Sequence, residues 1–334
     1  MRRNRKISQH HINPAALVSI LAAVLLGFNL VSCQVYNDFR IGLASKPSAL
    51  VLQDLSLDPV QKALVERSVD VAAFDLNKYG SRAGAGKPSP AAFRYLRDAA
   101  GLTAFRVSTI KPNTVLLSAA QYFITASSAQ KSVNSIRRQG ELAFIERLPA
   151  FPVAKTKLAP LTPSLSNLSL DRYVEWLNLQ IFKQRFATHT DERVQTSFPA
   201  FAAEKATLAY IREKSGSDST LLGQYLSEKR DERTFAALFP DLYSRIQTLY
   251  DQEPLPADLG AQRKFLVDSW LLVYRDQYPN RFITNKYRDF ASKGISDEEL
   301  AVWKNEYTYW SYWEKRLSDK GSDLKALIAE LERN

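Results

Sequence analysis

The sequence predicts an α+β fold that is predominantly α-helical, with a small sheet in the N-terminal half. Apolar residues follow helical spacing along most of the chain, especially after Asp171. Strand-like runs separated by turn signals occur between Leu102 and Ile145. The composition is that of a globular protein, because 45% of the 334 residues are hydrophobic and 24% are charged. A chain of this length buries a large core in one or two domains.

Residues 1–32 have the organisation of a lipoprotein signal peptide. Four basic residues lie among the first six, and an apolar run follows from Ala15 to Val31. The run ends in Leu-Val-Ser-Cys, which resembles the bacterial lipobox, whose cysteine is lipidated and becomes the mature N-terminus. We therefore predict that Cys33 is lipidated. The alternatives are an uncleaved N-terminal anchor and an ordinary secretory signal.

Lipidation of Cys33 predicts attachment to a membrane of the bacterial cell envelope, with the protein facing the periplasm. Gln34, rather than Asp, follows the cysteine, which favours the outer membrane over the inner one in enterobacterial-type sorting. Cleavage lowers the net charge from +10 to +6, because it removes four basic residues and no acidic ones. It also leaves His189 as the single histidine of the mature chain.

Residues 33–147 are predicted to form an N-terminal α+β part. Asp58 suits the N-cap of its first helix, a turn is expected at Lys111-Pro-Asn-Thr, and Gly140 is expected to stop a later helix. The elements are expected at Pro59–Leu76 (helix), Pro90–Ala100 (short helix), Leu102–Phe123 (two or three strands), Ser127–Gln139 (helix) and Leu142–Ile145 (strand).

The rest of the chain predicts a connection followed by helices. Residues 148–170 are rich in Pro, Ser and Thr, which indicates a linker or a crossing loop. Residues 171–334 predict a helical part that either stands alone or joins 33–147 in one domain. Its last helix opens with a capping box, Ser296 to Glu299, and carries an aromatic stripe. The helices are expected at Asp171–Ala187, Pro199–Glu213, Ser219–Leu238, Pro240–Asp251, Leu259–Tyr278 and Ser296–Arg316.

The residue inventory excludes several kinds of active site and predicts neither a cofactor nor a metal. Catalytic zinc sites usually need at least two imidazoles or thiolates, which one histidine and no free thiol cannot supply. A Ser-His-Asp triad would have to use His189, and the chain has no Gly-x-Ser-x-Gly elbow. Basic pairs such as Lys229-Arg230 are isolated and fit a solvated helix face, so we expect no nucleic-acid partner.

Three segments resemble a family of bacterial lipoproteins described as predicted zinc aminopeptidases. Ala129–Phe151 resembles the family's helix, its Arg-x-Gln-Gly stop and the strand that follows. Leu179–Ala187 lies where the family carries an Ile-Phe-His-Glu-x-x-His helix, and Ser197–Lys205 is similar to a helix that starts Asn-Glu-Ser-Phe-Ala. The resemblance runs from Cys33 to about Tyr287, and it implies a zincin-like helical frame.

The departures from this family affect the residues that would hold zinc. The alignment places Lys183 and Ala187 at the two histidine positions, Gln184 at the general base and Thr196 at the third ligand. Lysine puts a positive charge where the zinc dication would lie, so the family's metal-activated water is lost. We expect these four degenerate positions to lie near one cleft, with Glu204 or another carboxylate near Lys183.

Three functions are compatible with these observations. The first is a lipid-anchored, non-catalytic protein that binds a peptide or an envelope protein on an aminopeptidase-like frame. The second is a working hydrolase that uses another site, for which His189, Asp191 and Glu192 are the candidates, although a polar loop after a helix explains them more simply. The third is an envelope assembly or scaffold factor whose aromatic C-terminal helix docks a membrane partner.

Overall fold

The elements follow the predicted order, with a small sheet first and a long series of helices after it. A computed structural model describes residues 45–54, 56–80, 93–96, 104–114, 117–123, 125–148, 159–292, 294–307 and 309–333. All of them belong to one compact unit, Ser45–Asn334. The predicted signal peptide and Cys33 lie outside the described residues.

The fold is the predicted α+β class, with helix predominating. Helices occur at Ser48–Val51 (α1), Pro59–Tyr79 (α2), Ala126–Arg138 (α3), Leu170–Arg185 (α4), Glu192–Thr196 (α5), Phe198–Ser215 (α6), Thr220–Tyr250 (α7), Leu259–Arg281 (α8), Asp297–Tyr307 (α9), Trp310–Asp319 (α10) and Leu324–Leu331 (α11). Strands occur at Lys46–Pro47 (β1), Arg94–Tyr95 (β2), Ala104–Ile110 (β3), Leu117–Phe123 (β4) and Leu142–Leu148 (β5). Among the described residues, no helix is both long enough and apolar enough to span a bilayer.

The predicted sheet is antiparallel, and its strand order is β4-β3-β5. The central strand β3 pairs Phe105 with Phe123 of β4 and Val107 with Ile145 of β5. The turn predicted between β3 and β4 contains Asn113, whose φ is 56°. Helix α3 packs on one face of the sheet. The small core between them consists of Val107, Ala129, Val133 and Ala143.

The helix predicted at Pro90–Ala100 is wrong at its centre, where β2 lies. β2 pairs antiparallel with β1. Two backbone hydrogen bonds also join this segment to Leu161. The Leu96 N–H donates to the Leu161 carbonyl, and the Leu161 N–H donates to the Arg94 carbonyl, both at 2.8 Å. These bonds pair the backbone N–H and C=O groups of a buried, extended segment. Pairing with distant strands therefore overrides the short helical pattern of the local sequence.

The predicted helix boundaries with specific terminal residues are confirmed. The Asp58 carboxylate accepts the N–H of Val60 at 2.7 Å, which caps α2. Ser296 and Glu299 form the predicted capping box, because the Ser296 hydroxyl accepts the Glu299 N–H and the Glu299 carboxylate accepts the Ser296 N–H. Gly140 has a φ of +83°, which suits a residue that follows a helix end.

The first hydrophobic cluster, called core 1, is built from both ends of the described chain. Helices α2, α4 and α6 pack together at its centre, and α10 and α11 close it. Phe182, Phe198 and Trp313 are among its largest fully buried side chains. Its members extend from Val51 to Leu331. Each such side chain contributes about 1.5–3 kcal/mol on burial, so core 1 dominates the packing energy of this region.

The second cluster, called core 2, lies among α7, α8 and α9. It is rich in aromatic rings, and Phe235 stacks on Tyr287 with ring centroids 4.2 Å apart. The two helices predicted on either side of Pro240 are one helix, α7, which contains this proline. Phe239 and Leu242 flank Pro240 and are both buried in core 2. Packing there offsets the backbone hydrogen bond that proline cannot make.

The single helix predicted at Ser296–Arg316 is also wrong, because α9 ends before α10 begins. Leu300 on α9 belongs to core 2, whereas Trp313 and Leu317 on α10 belong to core 1. The apolar stripe of one straight helix faces in one direction and cannot pack against two separate cores. Two separate helices, α9 and α10, therefore replace the single predicted helix.

Part of the predicted connection at 148–170 packs as core. Ala159, Leu161 and Leu165 are buried in core 1, and a 3-10 helix runs from Pro163 to Asn167. Residues 149–158 lie outside the described part of the chain.

Candidate functional site

The four degenerate positions lie around the end of α4 and the end of α5. Helix α4 ends at Arg185, two residues before the predicted helix end at Ala187. Lys183 and Gln184 therefore lie in its last turn, and Ala187 lies beyond it. Lys183 is exposed and Gln184 is half-buried. Thr196 is the last residue of α5, and its hydroxyl donates to the Glu192 carbonyl at 2.8 Å.

Helix α4 packs along α6, as the alignment of the second and third segments predicts. This pairing brings the Leu179–Ala187 and Ser197–Lys205 segments together. We expected Glu204 or another carboxylate near Lys183, and Glu204 pairs with Lys229 and Arg233. In the described part of the chain, no three His, Cys, Asp or Glu side chains are placed to hold a metal ion.

The polar site predicted at His189, Asp191 and Glu192 is a loop that joins α4 to α5. The His189 Nδ1 atom accepts the Asp191 N–H at 2.9 Å, so its Nε2 carries the proton that faces the Leu331 carbonyl at 3.0 Å. Asp191 caps α5 by accepting the Arg193 N–H at 2.8 Å. The side-chain hydrogen bond from Arg193 lowers the pKa of Asp191, although burial opposes this. Glu192 is exposed.

These contacts make His189 a structural link to α11. Both ring nitrogens face backbone partners, and neither is directed at a hydroxyl nucleophile. General-base catalysis needs an imidazole nitrogen within hydrogen-bond reach of the reacting proton. The loop therefore holds the C-terminal helix in place and does not present a catalytic base.

A charge network that the sequence did not reveal lies where α4, α6 and α7 meet. Its centre is Lys229, which is 5% exposed, so the predicted solvated helix face is wrong here. The Lys229 Nζ lies 2.5 Å from Glu175, 3.1 Å from Glu232 and 3.9 Å from Glu204. Burial alone would lower the pKa of Lys229, but Glu175, Glu232 and Glu204 raise it. The buried charge network consists of Arg172, Glu175, Glu204, Glu228, Lys229 and Glu232.

Arg172 is the second cation of the buried charge network. Its guanidinium lies 2.5 Å from Glu228, 3.2 Å from Glu175 and 3.8 Å from Glu232. Burial raises the pKa of Glu232, but Lys229 and the cations around it lower it overall. Two carboxylates are therefore shared between two cations, which fixes α4 against α7.

Glu204 connects the network to α6. Its carboxylate pairs with Arg233 on α7, and its backbone carbonyl accepts the Tyr225 hydroxyl at 3.4 Å. Burial raises the pKa of Glu204, although Lys229 and Arg233 oppose this. The Glu204 carboxylate is paired with cations on α7, so the network joins α6 to α7. The i,i+3 pairs Arg172–Glu175 and Lys229–Glu232 were its visible signal in the sequence.

A groove of about 540 Å³ opens between the end of α7 and the start of α8. Arg245, Leu249 and Phe265 are among the residues that line it. Phe265 is 71% exposed, and Leu272 on the same helix is 58% exposed. Phe265 is therefore an exposed apolar side chain on the lining of this groove, whereas Leu272 does not line it.

No protein-family model, no curated protein and no solved structure matches the chain. The functional assignment therefore depends on the residues themselves. Those that matter most are Cys33, where we predict lipidation, the four positions that we predict to be degenerate and the helices that present them.

Proposed function

We propose that this chain is a lipid-anchored, non-catalytic binding protein of the bacterial cell envelope, divergent from the zinc aminopeptidase lipoproteins that it resembles. The observation that carries the proposal is which residues occupy the ends of α4 and α5, beside the α4–α6 pair. These helices pack together, yet Lys183, Gln184, Ala187 and Thr196 stand where the resemblance places zinc ligands and a base. Neither an imidazole nor a carboxylate is present at any of the four positions.

The chemistry of these side chains supports a loss of catalysis. Zinc prefers neutral imidazole, thiolate or carboxylate ligands, and an ammonium group repels it. Glutamine at the base position cannot accept a proton from a water molecule at neutral pH. Lys183 and Gln184 therefore exclude both parts of the family's mechanism, metal binding and proton abstraction.

The other two candidate functions have less support. A hydrolase based on His189 conflicts with the backbone partners of both its ring nitrogens. An assembly factor with a free aromatic C-terminal helix conflicts with the packing of Trp310 and Trp313 against core 1. The groove beside α8, which the exposed Phe265 lines, supports a binding role, because ligands and peptides bind in concave surfaces with apolar lining.

We expect the purified protein to contain no stoichiometric zinc and to leave aminoacyl reporter substrates uncleaved. The four degenerate side chains supply no ligand set, so added zinc should dissociate on dialysis. Metal analysis by mass spectrometry and a reporter assay measure these outcomes. Tight zinc at one ion per chain in the unmodified protein contradicts the proposal.

A fourfold variant tests the placement of the four positions. Lys183→His, Gln184→Glu, Ala187→His and Thr196→Glu together should create zinc affinity if the positions converge in space. Gln184→Glu alone is the matched control, because it restores the base without adding the two imidazole ligands. Equal zinc binding by both variants would show that the alignment of these segments is incorrect. It would not contradict the proposal that the protein is non-catalytic.

We expect Cys33→Ala to abolish lipidation and change the mature mass. Stable membrane attachment needs more than one acyl chain, which a lipoprotein cysteine provides. Intact-mass measurement and membrane fractionation report the outcome. Ser32→Ala is the control, since it keeps a small residue before Cys33 and should preserve processing. Unchanged mass and unchanged membrane partitioning in Cys33→Ala would refute the lipobox prediction.

A further inference from the structure

Helix α8 carries an apolar stripe on the side that faces water. Phe265 is 71% exposed, Leu272 is 58% exposed, and Pro279 is exposed as well. These three residues, called the α8 stripe, are spaced seven apart, so they lie in one line along the helix surface. Seven-residue spacing is the period at which two α-helices pack against each other.

The α8 stripe lies opposite the side of the helix that packs inside the protein. Val267, Leu271 and Tyr274 are the buried residues of α8, and all three belong to core 2. The outer side of such a helix is normally polar. In α8 it presents Phe265 and Leu272 instead, and an apolar surface of this kind indicates contact with another molecule.

The charges beside the α8 stripe are placed symmetrically about Leu272 and have opposite signs. Asp268 lies four residues before Leu272, and Arg275 lies three residues after it. Both are exposed, and they lie on the same flank of the helix because they are seven residues apart. If two copies of α8 run antiparallel about a two-fold axis at Leu272, Asp268 of each copy faces Arg275 of the other. In a parallel pair, each charge would face the same charge of the second copy.

The same two-fold axis pairs the apolar residues. Leu272 lies on the axis and meets Leu272 of the second copy, while Phe265 of each copy meets Pro279 of the other. The α8 stripe is therefore complementary to itself in both apolar contacts and charge. An anionic bilayer is a poorer match, because the exposed carboxylates of Asp268 and Asp276 on this side of α8 would be repelled.

We propose that the α8 stripe is a self-association surface, on which a second copy of this chain binds with its own α8 antiparallel. The 23 residues of α8 form a helix about 35 Å long and about 10 Å wide, so a pair of them covers about 350 Å² per copy. Stable dimers bury about 800 Å² per copy, so this association is weak and reversible. It does not depend on a lipid anchor, because residues of α8 alone carry it.

Disulfide cross-linking of the purified full-length chain tests this surface. Leu272→Cys places a thiol on the two-fold axis, so mild oxidation at about 100 μM protein should link two copies. The matched control is Leu226→Cys on α7, which replaces another exposed leucine and should not link. The unmodified chain reports any linkage through Cys33, its only cysteine.

A second change removes the aromatic residue of the α8 stripe. Phe265→Asp, added to Leu272→Cys, should lower the linked fraction about tenfold, because aromatic anchors contribute much of the binding energy of an interface. The Phe265 ring is largely exposed, so the urea unfolding midpoint should not change. An unchanged midpoint separates loss of association from loss of folding.

Charge reversal tests the antiparallel direction. In the Leu272→Cys chain, Asp268→Arg alone and Arg275→Asp alone should each reduce the linked fraction, because like charges would then face each other across the axis. The two changes together place opposite charges across the axis again, so they should restore the linkage.

Three results would overturn the proposal. One is equal linkage of Leu272→Cys and Leu226→Cys, and another is a doubly reversed chain that links no better than the single reversals. The third is flotation of the protein with phosphatidylglycerol vesicles that Phe265→Asp abolishes, which would assign the α8 stripe to a lipid surface. None of these measurements involves zinc content or mature mass, so this proposal and the proposed function can fail separately.

Discussion

Replacing Lys229 with methionine should lower the free energy of unfolding by about 3 kcal/mol at neutral pH. Methionine keeps most of the volume but removes the ammonium that lies within 4 Å of Glu175, Glu204 and Glu232. Glu204 is buried and Glu175 and Glu232 are half-buried, and these carboxylates would then repel one another with only Arg172 and Arg233 left to compensate them. Breaking a buried ion pair from one side is costly because the remaining charge stays desolvated. Urea unfolding followed by circular dichroism measures the change.

The matched control is Lys264→Met on α8. Lys264 also pairs with an acid, Asp268 at i+4, but its side chain is 76% exposed. Solvent screens this pair, so we expect a change of less than about 0.5 kcal/mol. If Lys229→Met and Lys264→Met destabilise the protein equally, the buried charge network does not hold the helices as described. A partial recovery of Lys229→Met at acid pH would identify the carboxylates as the source of the loss.

The free energy of unfolding should decrease as the pH rises from about 4 to about 8, and Asp75 should cause most of this slope. Burial raises the pKa of Asp75 from its ordinary 3.8 to about 8 in the folded protein. Between these values the folded state binds one more proton than the unfolded chain, so stability falls by about 1.4 kcal/mol per pH unit. Asp75→Asn removes this proton, and its stability should be nearly flat in this window. Chemical unfolding at intervals of one pH unit measures both curves.

Asp70→Asn on the same helix is the control with the opposite sign. Burial raises the pKa of Asp70, but hydrogen bonds from Lys214 and Tyr210 lower it overall. Ionised Asp70 therefore stabilises the folded protein at neutral pH, and this contribution to the free energy of unfolding is lost only as the pH falls below the ordinary carboxyl range. Asp70→Asn should leave the slope between pH 5 and pH 8 unchanged. A flat curve for the unmodified protein would contradict a protonated Asp75.

Local sequence signals predicted the helix starts well. Asp58 before Pro59 and the Ser296–Glu299 capping box specify bonds between neighbouring residues, and both are present. The turn at 111–114 and the stop at Gly140 are likewise local. Such features depend on a few adjacent side chains, so a sequence is sufficient to place them.

Features that depend on distant residues were predicted less well. The short helix expected around Pro90–Ala100 gave way to β2 because Leu161 supplies backbone partners from far along the chain. Pro240 did not end α7, since both sides of the proline are buried in core 2. Helix α11 was not predicted at all, because eight residues near a chain end carry too short a pattern.

In the candidate site, too, some features were predicted from the sequence and others were not. The pairing of α4 with α6 followed from the resemblance, and the contacts of the helices confirm it. The burial of Lys229 and Asp75 was not predicted, because a charged residue usually lies at the surface and its partners come from separate helices. The i,i+3 spacings of Arg172 with Glu175 and of Lys229 with Glu232 were the signals in the sequence that pointed toward the network.

The composition of core 1 has a consequence for how the protein is made. Val51 and Leu331 belong to the same cluster, so both must be synthesised before this core is complete. Until then, the apolar faces of α2, α4 and α6 lack the helices that close them. Such a partial chain exposes apolar surface, which makes it prone to aggregate until α11 is in place.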